Sequence, residues 1–224
     1  MSLIARKKKL LMQAASVASV VYAGNASAAA SGSPQTLSNV PIGTAAADRY
    51  VIIAVALRTN GFQADASAVT VAGVSCTQIG TDVNSGKNHL SLWRTNYPIA
   101  SGTTADIAVT YTNASNIGVA TWAVTGLQST TPTDTDTTTT DAASVTSTVS
   151  AGGIIVAAAY SVGLVSAGTH TWTGVTEDFD HLSVGSIGSQ SGGSLNSPGG
   201  GNISVSADGT QTSSAFMMIA ASFR

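Results

Sequence analysis

Charge is scarce in this chain: Asp, Glu, Lys and Arg make up 9% of its 224 residues, against roughly 25% in ordinary soluble domains. Small residues (Gly, Ala, Ser, Thr) take the places that Lys and Glu usually hold. Such a surface is a weak colloidal stabiliser and suits a protein held in an assembly or at a surface. Aromatics are also few, at 5%. There is one cysteine, Cys76, which excludes an intramolecular disulfide and a cysteine-built zinc site. It falls in an alternating stretch and reads as a small buried hydrophobe. No phosphate loop, dinucleotide fingerprint, G-x-S-x-G elbow or metal-grade His/Cys spacing is present, and no cofactor is implied.

The few charges are divided unevenly. Residues 1–30 hold Arg6, Lys7, Lys8 and Lys9 and no acid. Residues 31–224 hold five cations, Arg49, Arg58, Lys87, Arg94 and Arg224, against all 11 acids. The body therefore lacks the basic field of a nucleic-acid binder.

Residues 1–35 stand apart. Leu3, Ile4, Leu10 and Leu11 flank the basic run, and Leu10–Ala23 is apolar, with an A-x-A site at Ala26-Ser27-Ala28. Two readings follow. One is a secretory signal cleaved near Ala28. The other is a retained anchor, helical or extended, whose residues Leu3, Ile4, Arg6, Lys7, Lys8, Lys9, Leu10 and Leu11 seat the protein in a larger assembly. Leu3, Ile4, Leu10, Leu11, Ala14, Ala15, Ala18 and Val21 recur at spacings that fit one helical face. Such a face needs symmetry mates or other proteins to cover it.

From residue 36 onward the period is two. "YVIIAVALR" (50–58) and "GGIIVAAAYS" (152–161) are short apolar runs that predict strands buried on both faces. "AVTVAGVSCTQIG", "NHLSLWRTN", "TADIAVTYT", "IGVATWAVTGL" and "SVTSTVS" alternate or carry turn signals. "QSTTPTDTDTTTTDA" reads as an exposed connection or an edge strand. The chain also repeats itself. "VIIAVAL" (51–57) lies against "IIVAAAY" (154–160), "TVAGV" (70–74) against "TWTGV" (171–175), and 107–127 against 203–223 without a gap. His-Leu-Ser occurs at 89–91 and 181–183. The expectation is all-β: one antiparallel, jelly-roll-like β-sandwich over 36–224, built from pseudo-repeats at about 50–127 and 144–223. Each half has few large apolar side chains, so a pooled core is expected.

The order "GTAAADRYVIIAV", "LSLWR", "SGTTADIAVT", "WAVTGL", "TTPTD" and a second buried run resembles a diffuse group of β-sandwich proteins of tailed bacteriophages. The group also occurs in bacterial genomes that carry phage-derived genes. The resemblance covers about residues 36–224. It implies a virion-associated structural protein, of the head decoration, head fibre or tail appendage kind, and it implies no catalytic residue. Its partners would be other virion proteins and further copies of itself, in a homo-oligomer such as a trimer. Its location would be the virion. The alternative is a secreted or surface-displayed bacterial β-sandwich binding module directed at a carbohydrate, and a further partner would be a host-surface glycan.

Few side chains invite chemistry. In "EDFDH" (177–181), strand alternation places Asp178 and Asp180 on one face, where they are the candidate ligands for a hard cation. A solvated strand end is the simpler account. Trp93 and Trp172 are the candidates for stacking on a sugar, whereas Trp122 lies in an apolar run and reads as core. His89 and His181 read as equivalent strand positions in the two repeats.

Overall fold

A computed structural model describes residues 17–85, 87–162, 170–182, 188–197, 199–209 and 215–224. The segment holding Leu3, Ile4, Arg6–Lys9, Leu10 and Leu11 lies outside these residues. The described residues form sixteen strands and no helix, and every pairing is antiparallel.

The first eight strands are β1 (Ser19–Ala29), β2 (Gln35–Pro41), β3 (Tyr50–Arg58), β4 (Asp65–Val71), β5 (Val74–Ser85), β6 (Asn88–Thr95), β7 (Thr104–Thr112) and β8 (Asn116–Thr125). They make one sheet in the order β1-β8-β3-β6-β5-β4-β7-β2. β5 is long, and its pairing with β6 shifts between Ile79 and Val83; such a bulge bends a strand and lets a sheet curl. The sheet comes close to closing like a barrel. The Thr121 hydroxyl of β8 donates to the Pro41 carbonyl at 2.6 Å and lies 3.0 Å from the Gly24 carbonyl, joining β1 to the end of β2. Gly24 is required at this crossing, because the Pro41 ring stands where its Cβ would be, 2.8 Å away.

The second eight are β9 (Asp134–Thr138), β10 (Ser144–Val149), β11 (Gly153–Val162), β12 (His170–Thr173), β13 (Thr176–Leu182), β14 (Gly188–Ser197), β15 (Gly201–Gly209) and β16 (Ala215–Phe223). They pair as β13-β14-β11-β16-β9 and β10-β15-β12. Adding eight to each strand number turns β5-β6-β3-β8-β1 into β13-β14-β11-β16-β9, and β2-β7-β4 into β10-β15-β12. The repeat is therefore complete at the level of topology, and it runs over 19–125 and 134–223. It includes β1, inside the segment set apart as 1–35, and β9, the Thr-rich stretch, which is an edge strand of its sheet.

Alternation along β3 and β11 explains the layering. Val51, Ile53, Val55 and Leu57 enter a core confined to the first half. Ile155, Ala157 and Ala159 enter a core confined to the second. Ile52, Ala54, Ala56, Ile154, Val156, Ala158 and Tyr160 share a third core between the halves. A strand with a core on each side must be apolar at every position, which is what the two continuous runs record. The single pooled core expected from the sequence is thus the middle one of three. Among the described residues it holds 23 side chains, against 18 and 11 in the outer two.

Candidate functional site

The halves meet along a seam where polar and aromatic groups collect on β1, β13 and β14. β1 is an edge strand of the first sheet, yet the second half also holds it. Asn196 of β14 accepts from Val20 N at 2.9 Å and donates to Val20 O at 3.2 Å, as a neighbouring strand would. His181 of β13 lies 3.1 Å from Ser27 Oγ. Tyr22 stacks on Phe179, with centroids 4.9 Å apart and planes at 11°, and meets the buried Trp122 edge-on.

The carboxylates of "EDFDH" do not converge. The β13–β14 register shifts between Glu177 and Phe179, and this bulge breaks the alternation that would put Asp178 and Asp180 on one face. Asp178 turns toward the seam and accepts from Trp122 Nε1 at 2.7 Å. Burial pushes its carboxyl above the usual range, against the opposing hydrogen bonds from Trp122 and Ser194. Burial likewise raises the Tyr22 phenol and lowers His181. The seam opens in a cleft of ≈ 480 Å³ lined by Tyr22, Thr176, Asp178, Ser194 and Asn196, among others.

Asp180 turns the other way. Its Oδ2 accepts from His170 N at 3.0 Å and its Oδ1 lies 3.2 Å from His170 Nδ1. With Nδ1 protonated toward the carboxylate, His170 Nε2 is left to accept from Ser161 Oγ, 2.8 Å away. Glu177 joins the chain: burial raises its carboxyl, and the Asp180 carboxylate raises it further. The order Ser161–His170–Asp180 is that of a serine-hydrolase relay. Here Ser161 is 0% exposed and His170 is 1% exposed. As found, the relay satisfies buried polar groups at one end of the second half's core. Among the described residues, no group of three or more metal-ligating side chains comes together.

The two tryptophans singled out for sugar stacking are interior. Trp93 is 5% and Trp172 is 9% exposed. Their Nε1 groups donate to Ser91 and Ser191, at 2.8 and 2.7 Å. The two His-Leu-Ser tripeptides are not equivalent either, since His89 lies on β6 and His181 on β13, the counterpart of β5. His89 is buried, with Nε2 2.9 Å from Ser91 Oγ. Cys76 is half-buried; burial pushes its thiol up to about 12, which keeps it protonated and unreactive.

Two arginines that composition counts as surface charge are buried. Arg49 is 0% exposed and donates to the carbonyls of Ile99, Gly43, Gly102 and Ser101 at 2.6–3.0 Å. Arg94 is 8% exposed, at the rim of the middle core. The sequence did signal Arg94: it shares a strand face with Leu90 and Leu92, and a cation in register with core leucines needs a reason to be there. Tyr22 carried no such signal, because β1 is too rich in Ala and Ser to read as a strand. No protein-family model, curated protein or solved structure matches this chain.

Proposed function

We propose that this chain is a non-catalytic structural protein of a virion, of the head decoration, head fibre or tail appendage kind. Its folded body is a display unit, and its N-terminal residues hold it to the particle. Each eight-strand half is read as a jelly-roll β-sandwich, so that the body is two such units stacked through their larger sheets. The partners are other virion proteins and further copies of the chain.

The observation that carries this reading is the place of β1. Residues 19–29 pair with β8 from Ser19↔Thr125 to Ala29↔Asn116, and Ala18 and Val20 are buried in the middle core. Cleavage at Ala26-Ser27-Ala28 would remove nearly all of this strand. It would bare the edge of β8 and leave Asn196 and His181 without their partners on β1. The retained N-terminus of the anchor reading keeps the strand, whereas the secreted reading loses it. A surface built largely from small uncharged residues fits the same conclusion. The burial of two of the body's five cations leaves even less positive charge for a nucleic acid.

Two truncations test the reading. Deletion of residues 1–16 is expected to leave the urea midpoint of the body nearly unchanged while abolishing incorporation into particles. Deletion of residues 1–28 is expected to cost several kcal/mol, on the order of what losing two or more large buried contacts costs, or to prevent folding. A stable, cooperatively unfolding Δ1–28 protein would remove the argument for a retained N-terminus. Normal incorporation of Δ1–16 would remove the anchor.

A further inference from the structure

The middle core ends, at the rim formed by β5 and β6, on a cation with no counter-ion among the described residues. Arg94 pairs with Ile52 of β3 and Thr77 of β5, on the face that carries Leu90 and Leu92 into the core. Its Nη1 donates to Thr95 O at 2.7 Å, and the guanidinium lies over the Tyr50 ring, 5.5 Å from the centroid. Nε and Nη2 have no acceptor among the described residues. Arg94 lines a cleft of ≈ 250 Å³ together with Thr77, Gln78, Ile79, Thr130 and Thr131, among others. The side chains of Gln78, Thr130 and Thr131 form no hydrogen bond to another described residue.

Among the described residues, no neighbouring carboxylate balances the charge. Burial lowers the Arg94 guanidinium, and the groups that act back on it are Tyr50 and Cys76. The Cys76 thiol is itself held protonated by burial. A desolvated guanidinium without an anion is costly to keep, yet the free edge, Nε–H beside Nη2–H, matches two oxygens of one oxyanion.

We propose that this cleft is a binding site for a small oxyanion, a carboxylate or phosphate group held two-pronged by Arg94, with the Thr130 and Thr131 hydroxyls and the Gln78 amide as further donors. A bound anion would join β5 of the first half to the connection that leads into β9 of the second. The site is independent of the virion reading, since it rests on Arg94 and the cleft alone.

The test uses the full chain and three probes: acetate, glucuronate and inorganic phosphate. The readout is the side-chain Nε–H signal of Arg94 by NMR, with the thermal midpoint recorded alongside. The expected result is a saturable one-site shift of that signal with at least one probe. The carboxylate and phosphate arms tell which source fits. Arg94→Gln is expected to weaken binding at least about tenfold, as loss of a charge-assisted pair does, and Thr131→Val to weaken it several-fold. If Arg94→Gln does not fold, the wild-type titration decides alone. An Arg94 signal unmoved by all three probes, or equal affinity in a folded Arg94→Gln protein, overturns the proposal.

Discussion

Asp178 shows how one backbone irregularity decides what a side chain can do. Simple alternation would pair it with Asp180 as a cation site. The bulge in β13 turns it instead onto Trp122, in a half-buried seam that disfavours its charge. Because its folded-state pKa is raised above the ordinary 3.8, the protonated form is favoured in the folded protein. That contribution is complete below the unfolded value and is lost as pH rises through the folded one. Asp178→Asn removes the titration and keeps an acceptor for Trp122 Nε1. The variant should therefore gain on wild type as pH rises from about 3 to about 7. Urea midpoints of the two proteins at both ends of that range measure it. A difference between them that does not change with pH would mean that Asp178 is not disfavoured as an anion. His181, lowered by burial, has the opposite dependence: its contribution is present above its unfolded value and lost as pH falls through the folded one. It is common to both proteins and cancels.

At the scale of elements, the repeat was legible and its register was not. The turn glycines aligned by "TVAGV" and "TWTGV" do correspond: Gly73 and Gly174 have φ of +77° and +79°, each just after the strand that β4 and β12 share by topology. The strands themselves slip. Matching 51–57 to 154–160 shifts by an odd number, which would send the inward residues of β3 to the wrong face of β11. The ungapped match of 107–127 to 203–223 keeps parity in β7 and β15 but flips it in β8 and β16. Runs that are apolar on both faces carry no alternation with which to set parity. β1 was missed for a related reason: its Ala and Ser residues fit a helical face as well as a strand. The two glycines should differ on substitution. A Cβ at Gly73 meets nothing within 4 Å, so Gly73→Ala should cost about 1–2 kcal/mol for the left-handed conformation alone. At Gly174 a Cβ would run into the Ser204 carbonyl, so Gly174→Ala should cost that plus the movement of β15. Equal urea midpoints for the two variants would mean that the second turn relaxes freely.

For the whole molecule, the distribution of apolar side chains couples the halves. Among the described residues the second half's own core is small, and four of its 11 buried members are alanine. Trp172, Phe216 and Met218 stay in that core, while Ile154, Tyr160, Met217, Ile219 and Phe223 face the first half. Separating the halves would expose that face, a contiguous apolar surface of the kind soluble monomers rarely carry. The intact chain is therefore expected to unfold in one transition, although each half repeats the topology of the other. Met217→Ala, in the middle layer, should lower that single midpoint by an amount equivalent to about 2–5 kcal/mol and should not split the transition. Residues 134–224 produced alone should aggregate or remain unfolded, and should fold when mixed with residues 17–127. Circular dichroism and sedimentation of the separate and mixed chains measure this. Two stable monomers that ignore each other would show that the outer cores suffice and that the middle layer only joins two finished units.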